Sequence, residues 1–110
     1  MSSPVYIVGA GVISGIGNNV AGHLTAFERE QAGMGDITLF KTIHQHQLPV
    51  AEVKLSNEQL VGMTGLPDRS SRTALLSYIA AKEAWDDTGI GDSKKFRIGF
   101  ISANTVGGMD

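Results

Sequence analysis

The chain has 110 residues, a formal net charge of −2, 42% hydrophobic and 18% charged residues, a balance that fits one small soluble globular domain and excludes a disordered chain. So small a charge offers no electrostatic reason for nucleic acid or an anionic membrane as partner. With zero cysteines, disulfides, thiolate metal sites and a cysteine nucleophile are excluded within these residues.

The start, MSSPVYIVGAG, lacks a basic region and is apolar for only about six residues, unlike a secretion signal. No apolar run approaches the ~20 residues of a membrane span. A cytoplasmic location is expected, in keeping with the absence of disulfides.

The first predicted element is Val5-Tyr6-Ile7-Val8, whose continuous apolar run predicts a strand covered on both faces. Gly9, Gly11, Gly15 and Gly17 follow, too many flexible residues for a helix interior. Asn18 or Asn19 can then cap a helix. That helix carries Val20, Leu24, Phe27 and Gln31 on one face and closes at Gly33 or Gly35. Short strands are expected at Ile37–Phe40 and Val50–Val53. Ser56-Asn57-Glu58-Gln59 has capping-box spacing and predicts a short helix ending near Gly62 or Gly65.

After the turn signal Leu66-Pro67-Asp68, the strongest helix is predicted from about Ser70 to Thr88. Ala74, Ser77, Ala81, Ala84 and Thr88 form a small-residue stripe. Leu75, Leu76 and Ile79 lie on another side, so its first half is expected to be buried on more than one side. Tyr78 and Trp85 read as packing groups. Glu83, Asp86 and Asp87 are expected to face water, and Gly89 or Gly91 ends the helix. Arg97–Ala103 reads as a second buried strand. This order predicts an α/β architecture, mostly parallel strands with right-handed crossover helices. The chain stops where such a protein would continue, which predicts a fragment with an uncovered last strand.

No complete catalytic constellation is visible. Gly9-Ala10-Gly11 follows a predicted strand, but Ser14 stands where the third glycine of a dinucleotide fingerprint belongs. The helix also begins too late to meet a pyrophosphate there. His44 and His46 alternate, yet zinc needs three or four ligands, and a solvated loop is the better reading. His23 reads as a surface or partly packed helix residue and Ser14 as a turn residue, since no G-x-S-x-G elbow surrounds it.

Three segments, in this order and spacing, resemble β-ketoacyl-acyl carrier protein synthases, condensing enzymes of the thiolase-like superfamily. Val5 to Asn18 is similar to the family's first strand and Gly-rich turn, with Gly15 where the family commonly has proline. Arg72-Thr73-Ala74 through Thr88-Gly89-Ile90 is similar to its Ala-rich helix. Arg97 through Val106-Gly107-Gly108 is similar to the strand and glycine pair that follow.

The resemblance implies the amino-terminal part of a thiolase-like fold, spanning residues 1–110. It also implies a parent enzyme, an acyltransferase of fatty acid or polyketide synthesis. Such enzymes elongate acyl chains by decarboxylative Claisen condensation with a malonyl-carrier protein. In the family, a cysteine and two histidines, or a histidine and an asparagine, perform that chemistry beyond the glycine pair. This chain therefore supplies no catalytic residue and is expected to be inactive alone, with neither acyl transfer nor decarboxylation of malonyl-carrier protein. Val106, Gly107 and Gly108 are the implied wall of an acyl pocket. The implied partners are an acyl carrier protein and acyl thioesters, in a parent that is a homodimer; no cofactor, metal, nucleic acid or membrane is implied. The alternatives are a non-catalytic interaction module and, further off, a dinucleotide-binding domain.

Overall fold

A computed structural model describes residues 2–105. Three helices, α1 (Val20–Glu28), α2 (Asn57–Thr64) and α3 (Arg72–Asp87), accompany two two-residue strands, β1 (Met34–Gly35) and β2 (Val50–Ala51). One 3₁₀ turn follows at Ser93–Lys95.

Each helix start is set by a side-chain cap. Asn19 Oδ1 accepts from Gly22 N–H at 2.7 Å, and Ser71 Oγ accepts from Ala74 N–H at 3.2 Å. At α2 the capping box closes in both directions. Gln59 N–H donates to Ser56 Oγ at 3.2 Å, and Ser56 N–H donates to Gln59 Oε1 at 2.8 Å. Gly65, at φ 68°, ends α2 in the left-handed conformation that the capping pattern requires.

The end of α1 is different. It closes at Arg29, before Gly33, because Gln31 N–H reaches Ala26 O and Glu30 N–H reaches Phe27 O. That bonding pattern places Glu30 itself at φ 51°, where helices usually place glycine. The buried side of α1 is His23 and Ala26, whereas Leu24 and Phe27 are exposed. Of the expected face Val20, Leu24, Phe27 and Gln31, only Val20 is half-buried; the helix is rotated so that His23 and Ala26 meet the rest of the chain.

β1 pairs antiparallel with β2, Met34 opposite Ala51 and Gly35 opposite Val50. The expected strand at Ile37–Phe40 is replaced by a side-chain arrangement. Thr38 N–H and Leu39 N–H donate to the Glu52 carboxylate at 3.0–3.3 Å, and Thr38 Oγ1 donates to it at 2.7 Å. A carboxylate thus satisfies backbone donors that a neighbouring strand would otherwise take.

The expected α/β architecture, an amino-terminal thiolase-like portion with mostly parallel strands, is overturned. The sheet has two strands and is antiparallel. Val5–Val8 and Arg97–Ala103 form no strand, and Ile7 and Ile101 are 93% and 97% exposed. A run of apolar β-formers specifies what a strand buries, but a strand exists only where a second one completes its hydrogen bonds. Neither segment finds such a neighbour among the described residues.

The core is small: Ala26, Ile37, Leu60 and Leu75 are buried, with Leu60 of α2 and Leu75 of α3 fully so where those helices pack together. Arg72 reinforces this contact from the first turn of α3. Its guanidinium donates to Val53 O, Leu55 O and Asn57 Oδ1 at 2.8–2.9 Å. The expected burial of α3 on more than one side holds only at Leu75, with Leu76 and Ile79 half-buried and Tyr78 exposed. A Cα radius of gyration of 16.7 Å exceeds the ~13 Å of a packed domain of this length, in keeping with the exposed apolar segments.

Candidate functional site

The polar contacts of greatest sequence separation lie where the Gly-rich turn, residues 9–19, lies across α3. A side chain at Gly9 would run into the Ala84 carbonyl, and one at Gly11 into the Ala80 carbonyl. Only hydrogen at those two Cα positions permits the backbones to approach so closely. Ala80, Ala84 and Thr88 form the α3 surface beneath. Part of the expected stripe therefore serves, while Ala74, Ser77 and Ala81 face solvent.

Two carboxylates fix this crossing. Glu83 Oε2 accepts from Val12 N–H at 2.9 Å, and its Oε1 accepts from Val20 N–H at 2.8 Å. Asp87 Oδ2 accepts from Ala10 N–H at 3.1 Å. The expectation that Glu83 faces water is thus corrected, since it is half-buried; Asp87 is exposed as expected while holding Ala10, and Asp86 pairs on the surface with Lys82 at 2.6 Å. Because Val20 is the first residue of α1, the Glu83 charge also rests at the positive end of that helix. Sequence reading missed this role. Its only signal was the i, i+4 spacing of Glu83 and Asp87, on the side of α3 that also carries Ala80 and Ala84.

Within the turn, Ser14 and Gly17 exchange backbone hydrogen bonds, Ser14 N–H to Gly17 O at 2.9 Å and the return bond at 3.3 Å. Ser14 is thus the turn residue its sequence setting predicts. His23 is not a surface residue: it is 7% exposed. Its Nδ1 lies 2.8 Å from Asn19 O and its Nε2 lies 2.6 Å from Ser14 Oγ. Nine residues apart, Ser14 and His23 meet because α1 turns its polar histidine inward under the turn.

His44 and His46 occupy the 42–48 turn with separate partners. His44 Nδ1 faces Gln47 Oε1 at 3.4 Å, and His46 Nδ1 pairs with Asp36 at 3.0 Å. The described residues contain no group of three or more His, Asp or Glu side chains placed to hold a metal. Tyr78 and Trp85 are not core packing groups; they line an open groove of about 480 Å³ with Lys82 and Asp86. A larger groove of about 510 Å³ adjoins it between Asn18, Asn19, Met63, Ile79 and Asp87.

A third groove, of about 420 Å³, is bordered by Leu39, Phe40, Glu52, Glu58 and Arg72. Lys54 Nζ, 2.6 Å away, is the chief cause that holds the Glu52 carboxyl down at about 2, against the opposing effect of burial. The donors on Thr38 and Leu39 add to it. At α2, the Glu58 carboxyl is lowered by its own backbone N–H and then by Ser56. Both carboxylates serve structure.

The implied acyl-pocket wall, Val106, Gly107 and Gly108, lies outside the described residues. No helix of the described residues is long and apolar enough to cross a membrane. No family model, no curated protein and no solved structure matches the chain.

Proposed function

We propose that this chain is a scaffold segment of a β-ketoacyl-acyl carrier protein synthase, an enzyme that elongates acyl chains by decarboxylative condensation. The reading rests on the resemblance of its three sequence segments. One observation supports it above the others. The Gly-rich turn and the Ala-rich helix, some 70 residues apart and separately similar to the family, pack through Gly9 and Gly11 on Ala80 and Ala84. That contact explains why glycines and alanines stand at those positions without any need for a cofactor.

The dinucleotide alternative is weakened at the same place. The Glu83 carboxylate takes the Val12 and Val20 N–H groups, leaving a phosphate to face a negative charge at the start of α1. In the proposed role, an acyl carrier protein delivers the malonyl group to the parent enzyme, while this segment holds structure around residues supplied elsewhere.

The test compares the 110-residue chain with the longest open reading frame containing it. The longer protein is expected to carry a cysteine and two later histidines and to release carbon dioxide from malonyl-carrier protein. The 110-residue chain should release none. Release by the chain alone, or a longer protein without the cysteine and histidines, would overturn the reading.

The exposed Val5–Val8 and Arg97–Ala103 segments favour a second reading, a non-catalytic module that binds a partner through strand pairing. A longer protein lacking those catalytic residues but retaining a stable partner would favour it.

A further inference from the structure

We propose that Ser14 and His23 form a nucleophile–base pair that accepts acyl groups from small activated esters. The proton positions follow from the partners. Asn19 O can only accept, so His23 Nδ1 carries hydrogen and donates to it at 2.8 Å. In the neutral ring Nε2 then bears the lone pair, and the Ser14 hydroxyl donates to it at 2.6 Å. Nucleophile, base and a third group orienting the base are thus in series. The ring is held by its position under the turn and by the edge of Phe27, with centroids 6.4 Å apart at 67°. Ser14 is half-buried, so part of it stays open to solvent, and Ile16 N–H lies 3.4 Å from the same oxygen.

In the reaction, Ser14 Oγ bonds to the ester carbonyl carbon as its proton passes to His23 Nε2. Nδ1–H, on the Asn19 carbonyl, steadies the resulting imidazolium. The carbon–oxygen bond to the leaving alcohol breaks, and that alcohol takes the proton from Nε2. Water then attacks the acyl-Ser14 ester through the same base, so the sum is ester plus water to acid plus alcohol. The condensing chemistry proposed above is not involved.

The test uses the intact chain with a fluorophosphonate probe and with 4-nitrophenyl acetate, mapping modified residues by peptide mass spectrometry. Phosphonylation is expected at Ser14 about 100-fold faster than at the other serines, the range in which a positioned base acts. Urea should abolish the preference. Ser14→Ala should remove the labelled peptide, and His23→Gln should slow labelling by a similar factor. Modification spread evenly over the serines of the folded wild-type chain would overturn the proposal, whatever the variants do. So would a His23→Gln chain of unchanged helicity that labels as fast as wild type.

Discussion

The Gly-rich turn and the Val5–Val8 segment are contiguous in sequence, yet one is bonded to α3 and the other lies exposed outside any strand. Residues 10, 12 and 20 each give a backbone N–H to a carboxylate on α3, and Gly9 and Gly11 rest on its carbonyls. Val5–Val8 has more apolar surface and lies exposed, without a strand partner among the described residues. The difference teaches that hydrophobicity alone does not order a segment; donors and acceptors must also be met. Charged side chains on a helix meet them for the turn, and nothing described meets them for the strand.

Five substitutions, one of them followed across pH, press on this contrast. Gly11→Ala drives a methyl group into the Ala80 carbonyl and should cost about 3 kcal/mol or more in urea unfolding. A loss under 1 kcal/mol would mean the turn does not rest on α3.

Glu83→Ala leaves the Val12 and Val20 N–H groups without their acceptor and should cost about 2–3 kcal/mol. Hydrogen exchange at those two amides should rise while that at Leu60 keeps pace only with the global loss.

Acid probes the other carboxylate anchor. Glu52 is held at about 2, below its ordinary 4.5, so it contributes stability that is complete above about pH 4.5. That contribution is lost as pH falls toward 2. With four donors on a partly solvated group, roughly 1–2 kcal/mol is at stake. Comparing wild type with Glu52→Gln from pH 6 to pH 2 isolates it, because the difference should shrink on acidification.

At the other extreme, Ile7→Ser and Ile101→Ser should each change the stability of the isolated chain by less than about 0.5 kcal/mol, as for exposed sites generally. A loss of 2 kcal/mol from either would place these segments in a packed layer.

The helices were legible because their instructions are local. Asn19, Ser56 with Gln59, and the turn before Ser71 act within four residues, and Gly65 ends α2 by its own conformation. The end of α1 was misplaced because Glu30 adopts the left-handed conformation that the sequence reading reserved for glycine. The strands were misread for the opposite reason. Val5–Val8 and Arg97–Ala103 look like strands by composition, but pairing is a property of two segments. The candidate site was half visible. Ser14 was placed in its turn, whereas the burial of His23 and the bonds that Glu83 and Asp87 make to the turn depend on which way the helices face.

The Glu83 anchor also carries a consequence for the order in which the chain acquires its shape. Its partners lie 63 and 71 residues upstream, and the Asp87 bond to Ala10 spans 77. At synthesis rates of about 5–20 residues per second, the turn leaves the ribosome roughly 3–15 s before the carboxylates that fix it exist. The turn is thus made well before it can settle, and meanwhile its apolar neighbour, Val5–Val8, stands open to any chaperone that binds extended apolar chain.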